Sequence, residues 1–144
     1  MKWLDNMKYL NLILILIPFF SIAQSIVPEK YRIDDSNFEE KINERSAFGN
    51  DQSKPIVVEF WAQFNETNCF GEWEELKDVI YYRVDIAKAP KAKKKYKVRM
   101  VPTLVIFKEG IKEIMFKAGL DLVLPAELNE IQEAVNEINT ASRF

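Results

Sequence analysis

The stretch from Ile56 to Cys69 decides the fold: Ile-Val-Val-Glu-Phe-Trp-Ala-Gln-Phe-Asn-Glu-Thr-Asn-Cys. Its opening half is mostly apolar and β-branched, so Pro55–Ala62 reads as a strand buried on both faces. A single charge interrupts it. A carboxylate among apolar neighbours is costly unless it pairs, stays protonated or sits at an exposed strand end, and these are the choices open to Glu59. Past Ala62 the chain turns polar, and Thr67 or Asn68 can cap a helix. Phe70, Trp73, Leu76 and Ile80 then recur at helical spacing, so a helix with one apolar stripe is expected over 68–80.

Working outward, Ser36-Asn37-Phe38-Glu39 has capping-box spacing, and Phe38 and Ile42 share one face of a short helix over about 36–45. Residues 47–55 read as a polar loop. Residues 81–86 read as a second core strand. Ala89-Pro90 opens a helix with proline at its first position. Its lysines, Lys91 to Lys97, form either a solvated face or an attractor for acidic surfaces. Thr103–Phe107 and Ile111–Ala118 are strands joined by Lys108-Glu109-Gly110, a hairpin with glycine at the turn. Leu128, Ile131, Val135 and Ile138 mark a last helix over 125–139. This order gives an α/β fold of three layers, α/β/α, around a central mixed sheet.

The chain has 144 residues, a net charge of −2, one cysteine and no histidine. Nothing there indicates a nucleic-acid partner, a metal or a cofactor. Lacking histidine, the protein has neither the usual general base nor the usual near-neutral switch. Tyr9–Phe20 is an apolar run too short to span a bilayer. With Lys2 and Lys8 before it and Ser21-Ile22-Ala23 after it, the segment has the layout of a signal peptide over residues 1–23. An uncleaved anchor or a buried helix is the other reading. Cleavage leaves residues 24–144 as a single domain, exported to the periplasm or the extracellular space, with no membrane span. A lone cysteine cannot staple an exported domain, so the fold must rest on its core.

Several local signatures, in order and at compatible spacing, resemble the thioredoxin family. Val57-Val58-Glu59-Phe60-Trp61-Ala62 resembles that family's strand before the active site. Tyr96-Lys97-Val98-Arg99-Met100-Val101-Pro102-Thr103 is similar to its Tyr-x-Ile-Arg-x-Ile-Pro-Thr segment. Phe107-Lys108-Glu109-Gly110 matches the following hairpin, Lys117-Ala118-Gly119 the glycine after the last strand, and Pro90 also fits. The resemblance runs from about Tyr31 to Ile138 and implies the thioredoxin fold.

It also implies particular roles, and the sequence departs from several. Where the family carries Cys-x-x-Cys, this chain has Asn65 and Asn68, and Cys69 falls one residue late. A dithiol–disulfide couple needs two thiols within bonding reach. By resemblance Pro102 is the cis-proline facing the active-site turn, and backbone beside it pairs with an extended substrate segment, which requires no thiol; the alternative is that the turn is kept for the fold alone. Glu59 stands where the family has a buried acid and Arg83 where it has the basic partner, so a structural ion pair is expected. Cys69, at a helix start, would feel a dipole that lowers its pKa. It is open to three readings: incidental, an intermolecular disulfide linking a homodimer, or a catalytic monothiol. Asn65-Glu66-Thr67 also fits the N-glycosylation pattern.

The helix expected over 68–80 is about two turns shorter than the family's. It would leave Trp73's neighbourhood under-covered, unless Phe70 and Trp73 simply fill the core. The resulting expectation is an exported, redox-inactive thioredoxin-like protein. It would bind a protein or peptide partner, as an accessory subunit or folding helper, through a surface of Trp61, Phe64, Val101, Pro102 and Thr103. The alternative is a monothiol disulfide reductase or isomerase acting through Cys69, so whether the chain is an enzyme stays open.

Overall fold

A computed structural model describes residues 27–44 and 53–141. The apolar leader and most of the expected 47–55 loop lie outside them. The elements run β1 (Arg32–Ile33), α1 (Phe38–Ile42), β2 (Ile56–Trp61), β3 (Ile80–Asp85), α2 (Pro90–Lys95), β4 (Thr103–Lys108), β5 (Ile111–Lys117) and α3 (Leu128–Ala141). Five strands form one mixed sheet in the order β1-β3-β2-β4-β5. β1, β3 and β2 are parallel, whereas β4 pairs antiparallel with both β2 and β5. This is the thioredoxin fold expected from the sequence, and the strand positions agree to within a residue or so. Among the described residues no helix is long and apolar enough to cross a membrane.

Each sheet face carries its own core. Side chains alternate across a strand, so Val58 and Phe60 point one way and Val57 the other. On the first face Phe38, Ile42, Ala92 and Tyr96 from the α1 and α2 regions pack on Val58, Phe60, Val105 and Phe107. On the second, Ile131, Val135 and Ile138 of α3 pack with Val57, Tyr81, Leu104 and Ile106. Burying each such aliphatic side chain stabilises the fold by about 1.5–3 kcal/mol. The β4–β5 hairpin turns through Glu109 and Gly110, both at positive φ (51° and 78°), the backbone of a two-residue primed turn. A side chain at Gly110 would also collide with the Asn43 amide.

Two expectations about helices fail. The Ser36–Glu39 capping box is not made; the Ser36 hydroxyl and amide instead donate to Asp34 Oδ1 (2.5 and 2.7 Å), and Asn37 precedes the helix. Glu39 reaches across to Lys95 (2.6 Å). More consequentially, there is no α-helix over 68–80. The segment holds only 3-10 turns at Gln63–Asn68 and Trp73–Glu75. Beyond the local bonds of those turns, several of its backbone groups bond to distant side chains. Phe70 N–H donates to Glu59 Oε1 (2.8 Å), and Phe70 C=O accepts from Arg83 Nη2 (3.3 Å). Lys77 N–H donates to Gln132 Oε1 (2.8 Å), and Gln132 Nε2 donates back to Lys77 C=O (3.1 Å). Asp78, at φ 58°, ends any helical path. The aromatic stripe is nevertheless covered. Phe70 and Trp73 are buried, and Trp73 stacks on Tyr81 at 5.0 Å. They fill the core rather than form an open surface.

Candidate functional site

Pairing of β2 with β4 sets Phe60 opposite Thr103, which brings the end of β2 beside Val101–Pro102. The Val101–Pro102 bond is cis, as the resemblance implied. From Ala62 the chain enters the Gln63–Asn68 turn, with Asn65 buried at its centre, 6% exposed. Asn65 Nδ2 donates to Val101 C=O (2.8 Å) and to Leu122 C=O (2.9 Å). Its Oδ1 accepts from Asn68 Nδ2 (2.8 Å), which lies 3.2 Å from the same Leu122 oxygen. Asn65 and Asn68, which by resemblance stand where the family carries cysteines, thus form an amide clamp. It ties the turn to the Pro102 segment and to the loop before α3. Pro102 C=O is itself taken by Ala118 N–H (3.0 Å), and Thr103 Oγ1 donates to Met100 C=O (2.7 Å).

Next to the clamp lies a buried polar cluster. Glu59 and Arg83 are register partners across β2 and β3, with Arg83 Nη2 3.3 Å from Glu59 Oε2. The carboxylate also accepts from Tyr81 O–H (2.6 Å), and Tyr81 Oη accepts from Arg83 Nε (3.0 Å). Burial pushes the Glu59 carboxyl above the usual carboxylate range, while Arg83 and the Tyr81 and Phe70 donors pull it back. Tyr81 is driven up by burial and then by Glu59.

Cys69 is half-buried at the end of the 3-10 turn, its N–H donating to Glu66 C=O (3.1 Å). No helix begins there, so the expected dipole is missing. Burial, followed by the charge of Glu59, pushes the thiol up to about 12. The shift is opposite to the one a helix start would give, and the thiol is neutral at physiological pH.

Of the residues singled out from the sequence, Trp61, Val101, Pro102 and Thr103 are buried together around the clamp. Phe64 is 74% exposed. Two further apolar side chains stand open nearby, Leu120 (96%) and Val123 (47%), on the loop that Asn65 and Asn68 hold through Leu122. Sequence reasoning missed this loop and the bridging Tyr81; neither carries a motif. It also missed a cavity of about 380 Å³ at the carboxyl ends of β1, β2 and β3, bordered by Arg32, Trp61, Glu66, Arg83, Asp85 and Lys88 among others.

Residues 29–130 match the thioredoxin family. No curated protein matches the sequence. Among solved structures, a mutant thioredoxin from Halobacterium salinarum superposes with a TM-score of 0.58 at 15% identity, covering 75% of this chain and 88% of that one. Thioredoxin from Schistosoma mansoni gives 0.54 at 22% identity, covering 74% and 92%. A designed protein gives 0.53 at 20% identity, covering 78% and 94%. At these identities the structural likenesses speak to the fold, while the family match spans most of the sequence. The chain belongs to the thioredoxin family.

Proposed function

We propose that this chain is an exported thioredoxin-family protein that carries out no disulfide exchange and binds a partner polypeptide at the Trp61/Pro102 end of the sheet. The observation that carries the reading is the Asn65–Asn68 clamp: two amides, which transfer no electrons, with Asn65 Nδ2 holding the Val101 and Leu122 carbonyls and its Oδ1 accepting from Asn68 Nδ2. The thiol one residue on is neutral and half-buried, which also weighs against the monothiol alternative, since the thiolate is the nucleophile.

The clamp bears on how a partner would bind. Val101 C=O, beside which a substrate strand pairs in the family by resemblance, already accepts from Asn65. The proposed contact therefore rests less on main-chain pairing than on exposed apolar side chains: Phe64 on the turn, and Leu120 and Val123 on the loop that Asn65 and Asn68 hold through Leu122. Exposed apolar side chains grouped around one site are a common mark of protein contact. The test is the affinity of Phe64→Ala and Cys69→Ser for a partner recovered from the envelope fraction. Phe64→Ala should weaken binding by about tenfold or more, the scale of a buried aromatic anchor. Cys69→Ser should leave binding within a few-fold, and the reverse ranking would refute the reading.

A further inference from the structure

The cavity at the carboxyl ends of β1, β2 and β3 lies beyond the clamp, on the β3 side of Trp61. Open α/β sheets bind ligands in the crevice outside the carboxyl ends of their strands. Its volume, about 380 Å³, falls within the range of small-molecule sites. Its walls are charged in both senses: Arg32, Arg83 and Lys88 against Glu29, Asp34, Glu66 and Asp85, with Glu29 4.0 Å from Arg32.

Arg83 is the informative member. It is only 6% exposed, and its Nε and Nη2 are spent on Tyr81, Glu59 and Phe70. Nη1 has no hydrogen-bond partner among the described residues. Trp73 Nε1 is the one fully enclosed side-chain polar atom found without a partner among them. Nη1 is therefore not fully enclosed, and Arg83 borders the cavity. A buried, oriented guanidinium with an open N–H edge is suited to accepting a carboxylate. Lys88 is exposed, makes no ion pair within 4.0 Å among the described residues and adds a second cation. Neither Glu66 nor Asp85 has an ion-pair partner there; Asp85 Oδ1 accepts from Ala87 N–H (2.9 Å), which leaves its other oxygen and Glu66 to receive an ammonium group.

We infer that this cavity binds a small zwitterion, its carboxylate on Arg83 and Lys88 and its ammonium between Glu66 and Asp85. A simple anion would meet Glu66 and Asp85 uncompensated, and a simple cation would face Arg83. A zwitterion satisfies both walls. This chemistry belongs both to a free α-amino acid and to a short peptide with both ends unblocked. The inference does not depend on polypeptide binding at Phe64.

The test is a titration of the intact protein followed by NMR at the Trp61 indole N–H, using glycine, glycylglycine, N-acetylglycine and glycinamide. Glycine or glycylglycine should saturate a shift there. N-acetylglycine, lacking the ammonium, and glycinamide, lacking the carboxylate, should each bind at least about tenfold more weakly, the scale of one charge-assisted hydrogen bond. Glycine the tighter would assign a free amino acid; glycylglycine the tighter would assign a peptide. Arg83 variants risk the core, so the exposed Lys88→Ala and Glu66→Gln serve as the site variants, each expected to weaken the zwitterion several-fold. Failure of both zwitterions to shift Trp61 would overturn the inference. So would glycinamide or N-acetylglycine binding as well as glycine, or zwitterion binding unchanged in both variants.

Discussion

The side-chain amide of Asn65 donates to the carbonyl of Val101 across 2.8 Å, joining the turn after β2 to the residue before Pro102. It donates to Leu122 as well, so one buried group holds three segments together. Asn65→Asp keeps the shape but turns a donor into an acceptor facing two carbonyl oxygens. The variant should lose at least ~2 kcal/mol in denaturant unfolding at neutral pH, since an unsatisfied buried group costs ~1–3 kcal/mol and a charged one more. An aspartate so placed has a folded pKa raised above its unfolded value. Part of the loss should therefore be regained as pH falls below that raised value, because the protonated acid can donate. An unchanged midpoint at neutral pH would show that the clamp contributes nothing to stability.

Cys69 should be inert in the folded protein. A thiol raised from 9.0 to about 12 holds up to about a thousandfold less thiolate near neutrality than an unperturbed one. Iodoacetamide labelling followed by mass should be slow until denaturant is added. The linkage has a definite sign. Because the folded pKa is raised, the thiol's contribution to stability is complete below about 9 and is lost as pH rises toward 12. The stability difference between wild type and Cys69→Ser should fall over that window and stay flat below it.

Glu59 and Arg83 should behave as one unit. Glu59→Leu leaves a buried guanidinium unpaired and removes acceptors from Phe70 N–H and Tyr81 O–H. Arg83→Met strands the carboxylate. Each single change should cost ~3–5 kcal/mol, and the double variant clearly less than their sum. Additive losses in a denaturation cycle would mean that the pair is not coupled.

What the sequence revealed and what it concealed divide along the range of the interactions. Strands β2 and β4 were legible because burial on both faces writes itself into consecutive residues, Ile56 to Trp61 and Thr103 to Lys108. The Glu59–Arg83 partnership rested on the resemblance, and strand register then set the two side by side. The helix over 68–80 was misread although its apolar spacing is real. The Phe70 and Lys77 backbone groups are satisfied by Glu59, Arg83 and Gln132, residues that local periodicity cannot reach. The same blindness hid Asp35, whose carboxylate accepts from Lys91 and Ala92 N–H at the start of α2 (2.8 and 2.9 Å). Leu122 was invisible for another reason: the clamp uses its carbonyl, which every residue has.

The leader makes a separate prediction from the sequence. If Tyr9–Phe20 and Ser21-Ile22-Ala23 direct export, protein recovered from its native compartment should begin near Gln24 by intact mass. A full-length chain retained in the membrane fraction would contradict export by cleavage.

The central claim is that the thioredoxin fold persists here without its electron-transfer chemistry. Its most direct test is turnover in an insulin-reduction assay with dithiothreitol as the electron source, comparing wild type with Cys69→Ser. The expected result is no acceleration over the uncatalysed rate by either protein. Substantial turnover by wild type, abolished in Cys69→Ser, would contradict it and make the lone thiol the working group.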